Sequence, residues 1–162
     1  MKRRTKWILG LTLGLVVGLP AFFVLLVWRD FHIYRIRQQR ETVNVIQRFH
    51  DGYNAGQLDS VCEAVYGCSL SPSARESWNS YVRLVRNRAG SFRTVSSSEV
   101  QVHIEPPGVR ATYVSSFEKT ECTEIFDLKD FDVPLQNGVV TRGPLKIVGY
   151  HVLIDGKLIS PP

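Results

Sequence analysis

The sequence carries no internal repeat and no low-complexity tract, which argues against solenoid and linker-dominated architectures. It has no P-loop, dinucleotide-binding, zinc or serine-hydrolase motif, so none of those chemistries has a local signature. Its three cysteines, Cys62, Cys68 and Cys122, match no metal-ligand spacing, and neither a metal nor a cofactor is expected. Charge is absent from one long stretch: no residue from Trp7 to Trp28 is ionisable.

What fills that stretch is apolar. At about 1.5 Å of rise per residue the run reaches roughly 33 Å, enough for a hydrocarbon core of about 30 Å. Trp7 and Trp28 stand where interfacial aromatic anchors belong. A cleaved signal peptide would be shorter and would end in small residues, whereas this run ends "FFVLLVWRD". No cysteine follows it directly, as a lipoprotein signal would require. The expectation is a retained single-pass helix. Residues 1–6 would form a basic cytoplasmic tail, 7–28 the span, 29–40 a juxtamembrane continuation, and 41–162 one domain outside the cell membrane. Lys2, Arg3, Arg4 and Lys6 on one side nearly balance Arg29, Arg35, Arg37 and Arg40 on the other. The short, purely basic tail tips the orientation to N-terminus inside.

Charge partition follows the same boundary. Residues 1–40 carry eight Lys/Arg and one Asp, or +7, and the remainder carries twelve against fourteen, or −2, which together give the chain's +5. The high pI therefore belongs to the membrane flanks, and no nucleic-acid partner is implied. Arg75, Arg83, Arg86, Arg88 and Arg93 cluster in sequence and read as a solvated helix face. Gly10, Gly14 and Gly18 stand four apart in the apolar run, a spacing that lets two membrane helices approach closely. Glycine is common in membrane helices, so the spacing reads either as that background or as a packing face for a partner helix or a second copy.

Beyond the anchor, Val43, Ile46, Phe49 and Tyr53 mark one face of a helix that stops at Gly56. "LDSVCEAVYG" fits a shorter helix with Asp59 as its N-cap. "SPSARESWNSYVRLVRNRAG" fits a third, with Ser73 and Glu76 at capping-box spacing, Gly90 at its end, and Trp78, Tyr81, Val82 and Val85 as its buried stripe. Four strands follow, in "FRTVSSSEVQVH", "GVRATYVSSFEK", "ECTEIFDLKDF" and "GPLKIVGYHVLID", with a longer loop and an Asn137-Gly138 turn before the last. Helices segregated from an antiparallel sheet define an α+β domain.

The segments "FHDGYNAGQLDSVCEAVY", "NRAGSFRTV", "VRATYVSSFEKTECTEIFDL" and "PLKIVGYHVLI" resemble the nuclear transport factor 2-like superfamily over nearly all of residues 41–155. The resemblance implies a cone of curved antiparallel sheet wrapped round three helices. That fold hosts enzymes, ligand binders and assembly modules, so it does not fix function. Enzymes of the superfamily place a His or Asp inside the cone, which makes His103 and His151 weak catalytic candidates, and strand alternation adds Glu124 to them. Tyr53, Trp78, Tyr113 and Phe126 would line its cavity. The layout also resembles membrane-anchored assembly subunits of bacterial type IV secretion systems, although this chain is shorter and shares no local motif with them.

His50 and Asp51 are adjacent, yet neighbours on a helix point about 100° apart and cannot act together on one atom. Glu124 alternates with Cys122 and Phe126 and so is directed to the concave face, or else is a solvated charge on a half-exposed sheet. In an extracytoplasmic setting Cys62 and Cys68 are candidates for a disulfide, with Cys122 left as a buried thiol, and a Cys68–Cys122 bridge is the lesser option. The leading expectation is a membrane-anchored, non-enzymatic module that binds a protein partner or a small ligand. The alternative is an isomerase- or dehydratase-like enzyme acting on a small hydrophobic substrate.

Overall fold

A computed structural model of the chain describes residues 2–65, 67, 71–103, 108–134 and 140–159; side chains are described for these except at 2–17, 103, 132–134 and 140–141. The chain divides into two compact units, Met1–Arg37 and Gln38–Pro162. The first helix, α1, runs Lys2–Ala55 and contributes to both. Among the described residues no helix is long and apolar enough to cross a membrane. Residues 7–17 of the expected span lie outside the described side chains. The described part, from Gly18 onward, leaves Leu19, Phe22, Phe23, Val24, Leu25, Val27 and Trp28 exposed.

In the second unit α1 buries Gln38, Thr42, Ile46, Phe49, His50 and Tyr53. This stripe steps by four and three, one helical face. Val43, placed on that face from the sequence, is instead 51% exposed, because the stripe continues back from Ile46 by fours, through Thr42 to Gln38. Helix α1 ends at Gly56, whose φ of 71° lies in the left-handed region that favours glycine. The short helix α2 spans Leu58–Glu63. Its N-cap is Gln57, with no side-chain cap, so Asp59 is a first-turn residue and pairs at the surface with Arg75, 3.5 Å away. Helix α3 spans Pro72–Ala89. Its cap is Ser71, whose Oγ accepts from the Ala74 N–H at 3.1 Å, two residues before the expected Ser73. Pro72 at the first helical position removes a donor that would have been unpaired there. Tyr81, Val82, Val85 and Ala89 are its buried stripe, with Trp78 half-buried beside them.

The strands are β1 (Phe92–His103), β2 (Gly108–Phe117), β3 (Glu121–Lys129), β4 (Asp132–Pro134), β5 (Val140–Arg142), β6 (Lys146–Ile154) and β7 (Lys157–Ile159). Five form one antiparallel sheet in the order β1-β2-β3-β6-β7, and β4 pairs with β5 separately. The expected four strands are thus joined by β7, which folds back over the turn at Asp155-Gly156 and pairs Val152 with Ile159. Asn137-Gly138 lies outside the described residues.

Alternation sets the packed face. In β2 the residues Val109, Ala111, Tyr113, Ser115 and Phe117 are buried, and in β3 so are Cys122, Glu124, Phe126 and Leu128. That face meets α1 and α3 in a core built from Phe49, Tyr53, Val82, Val85, Phe126, Ile147 and Val152. Burying each of these large apolar side chains is worth about 1.5–3 kcal/mol. The β2–β3 turn is tied to the end of α3: Lys119 N–H donates to Ala89 O at 2.9 Å and Glu118 N–H to Ser91 O at 2.8 Å.

Candidate functional site

Glu124 stands at the middle of β3, opposite Tyr113 on β2 and Val152 on β6. With sheet neighbours on both sides and α1 across its face, it is 0% exposed. Two side chains engage it. Tyr150, from β6, donates its hydroxyl to Glu124 Oε1 at 2.7 Å. His50, from α1, places Nε2 at 3.2 Å from Oε1 and 3.1 Å from Oε2. Nε2 is within hydrogen-bond reach of both carboxyl oxygens, the position from which an Nε2–H would be shared between them. His50 is itself buried, and its ring stacks on Phe92 with centroids 3.8 Å apart and planes 12° apart.

Aromatic rings close the surroundings. Phe49 meets Tyr150 edge-on at 4.7 Å and Phe126 at 5.4 Å, and Trp78 stacks on Tyr150 at 6.2 Å. The electrostatics follow from one interior carboxylate in an apolar setting. Tyr150 ionises only well above the usual phenol range, first because it is buried, then because Glu124 repels a second negative charge and takes its hydrogen bond. Burial and the same carboxylate raise Tyr53, Tyr81 and Tyr113. Burial, then Glu124, pushes the Cys122 thiol up to about 11. A phenol or thiol held neutral in this way donates hydrogen bonds and is a poor nucleophile.

The three catalytic candidates separate. Glu124 is interior, His151 is on β6 opposite Ile125 with its side chain exposed, and the His103 side chain lies outside the described residues. Tyr53, Tyr113 and Phe126 are all buried, and each makes ring contacts in the core: Tyr53 with Phe117 at 5.7 Å, Tyr113 with Phe126 at 6.0 Å. Tyr53 also donates its hydroxyl to Gly90 O at 2.8 Å. Asp51 faces away from His50, is exposed, and accepts from Gln47 Nε2 at 3.0 Å. Arg86 is tied to structure, donating to Asn54 O at 3.2 Å with its guanidinium 6.0 Å from the Tyr53 ring centre.

Cys62 is disulfide-bonded, Cys122 is a free buried thiol, and Cys68 lies outside the described residues. Gly10 and Gly14 fall within residues 1–17, and Gly18 faces open space. Among the described residues no cluster of three or more His, Cys, Asp or Glu side chains is placed to hold a metal ion.

His50 and Tyr150 are the members that sequence reasoning passed over. The signal for His50 was its spacing, four residues after Ile46 and three before Tyr53, on the apolar stripe. A histidine there must find a partner inside, and an inward carboxylate on a strand is the natural one. Nothing local marks Tyr150, which comes to Glu124 through β3–β6 pairing. No protein-family model, no curated protein and no solved structure matches the chain.

Proposed function

We propose that the chain is a membrane-anchored, non-enzymatic binding or assembly module. Residues 7–28 would anchor it, N-terminus inside. The α+β domain, read as a cone of the nuclear transport factor 2-like type, would be presented outside the membrane to a protein partner, a second copy or a small ligand.

The observation that carries this reading is the apolar surface of α1. Phe23, Val24, Val27 and Trp28 are each at least 60% exposed, and together with Phe31 they form one apolar surface along the helix. A contiguous apolar surface of this kind is seldom left in water, whereas hydrocarbon covers it without requiring a protein surface opposite. The interior of the domain supports the non-enzymatic part. Glu124 is fully buried and engaged by His50 and Tyr150, the arrangement of a polar group satisfied within a core.

Carbonate extraction of membranes containing the full chain tests the anchor. The wild type should stay in the pellet, and a Val17→Asp/Leu19→Asp variant should move to the supernatant, since each aspartate near the middle of the span costs about 2.5–3.5 kcal/mol of insertion. Wild-type protein in the supernatant would remove the anchor. Crosslinking in membranes, compared with Gly14→Leu, tests the glycine face: an unchanged set of crosslinked species would exclude that face from association.

One observation favours a second reading, the isomerase- or dehydratase-like enzyme: two donors converge on a single interior carboxylate. That reading requires a solute to reach Glu124. Titration with a small hydrophobic ketone should then shift the His50 and Tyr150 ring resonances, and rings that do not respond would count against it.

A further inference from the structure

Two polar side chains of α1 face the interior away from the Glu124 cluster. Gln38 is 3% exposed and Thr42 0%. Gln38 Oε1 and Thr42 Oγ1 have no hydrogen-bond partner among the described residues. Four residues apart, they lie one above the other on the same helical face that carries Ile46 and His50.

The ring contacts fix where that face points along the sheet. Phe49 packs on Phe126 and Tyr53 on Phe117, so the direction from Phe49 to Tyr53 follows β3 from Phe126 toward Cys122. Thr42 stands about 10 Å back along the helix axis from Phe49, toward the Leu128 end of the sheet. The pair is therefore separate from the His50–Glu124–Tyr150 cluster. Ser115 Oγ is likewise unpartnered but sits alone opposite Cys122, at the other end of the face.

Folded proteins pair nearly all of their buried amides and hydroxyls, through protein, water or ligand. We propose that Gln38 and Thr42 form the polar wall of an interior site that holds a neutral hydroxyl, supplied by water or by a small uncharged molecule. The amide oxygen accepts from that hydroxyl, and the threonine hydroxyl donates to it or accepts from it. Neither residue is charged, so an ion would find no compensation from them. The inference involves only residues of the second unit, so it stands or falls apart from the anchor and partner reading.

Four variants of the full chain in detergent test it. Thr42→Val removes the hydroxyl at nearly constant shape, Gln38→Met removes the amide at similar length, and Thr42→Ser retains the hydroxyl. If the site is occupied, Thr42→Val and Gln38→Met each raise the unfolding equilibrium constant by about fivefold, as loss of a made hydrogen bond does, and their double variant does not recover. With water as occupant, wild type and Thr42→Ser show a long-lived water in contact with residue 42 by nuclear Overhauser transfer, and Thr42→Val does not. With a small molecule as occupant, native mass spectrometry finds an added mass on wild type and Thr42→Ser that is missing from Thr42→Val. Valine and methionine variants as stable as the wild type, or more so, would overturn the proposal, because removing a truly unpaired polar group relieves a cost. A wild type with neither the water signal nor an added mass would overturn it equally.

Discussion

Replacing His50 by leucine removes one of the two donors to a carboxylate that has no exposure to water. Among the described residues Glu124 then keeps the Tyr150 hydroxyl alone. Breaking one side of a buried, hydrogen-bonded pair costs about 3–5 kcal/mol, and the full value applies here because both side chains are at most 3% exposed and solvent screens neither. For a domain of this size that lowers the melting temperature by roughly 10–20 °C. The ordering of variants is the sharper forecast. His50→Leu/Glu124→Met removes the stranded charge and leaves only the Tyr150 hydroxyl unpaired, at about 1–3 kcal/mol. Adding Tyr150→Phe removes that group too, and the triple variant should lie within about 1.5 kcal/mol of the wild type if the volume is well matched. Denaturant unfolding of the full chain in detergent, followed by circular dichroism, reads all three. If His50→Leu costs less than about 1 kcal/mol, or the triple variant is the least stable, then Glu124 is not the buried, paired carboxyl group described above.

Other outcomes follow from the same interior. Tyr53, Tyr81, Tyr113 and Tyr150 are all raised in the folded state, so their contribution is intact below about pH 10, where unfolded phenols titrate, and is lost as pH rises beyond it. Each such group weakens the fold by up to about 1.4 kcal/mol per pH unit in that range, and phenolate absorbance from Tyr53 and Tyr150, the two raised furthest, should appear only as the domain unfolds; their ionisation in a still-folded domain near pH 10 would refute this. The Cys122 thiol, 1% exposed and pushed up to about 11, should resist alkylation at pH 8 until denaturant is added, and rapid native labelling would contradict its burial. Gly90→Ala should cost more than Tyr53→Phe in the same unfolding assay. The first forces a side chain onto φ 84° with its Cβ 2.7 Å from Glu118 Cβ, whereas the second loses one hydrogen bond of about 1 kcal/mol.

The α+β order was legible because each helix and most strands announce themselves by period and by glycine stops. Glu124 was legible as inward-facing for the same reason: alternation along "ECTEIFDL" puts it with Cys122, Phe126 and Leu128. Its partners were not. The His50 ring lies 74 positions from Glu124 in sequence and Tyr150 lies 26, and only the packing of α1 on the sheet and the β3–β6 register bring them together. Small displacements in the reading had local causes. Ser71 caps α3 because Pro72 at the first helical position fixes the start, and Gln57 precedes α2 because that chain turns directly out of Gly56. Strand β7 has three residues, too few for alternation to reveal.

The proposal that the domain works through its surface and its anchor, and that its interior acid–base cluster serves folding, is tested most directly by the triple variant His50→Leu/Glu124→Met/Tyr150→Phe, expressed in membranes and crosslinked in place. We predict a folded, membrane-held protein with the same crosslinked species as the wild type. A folded triple variant that has lost those species would contradict the account and return the Glu124 cluster to the centre of function.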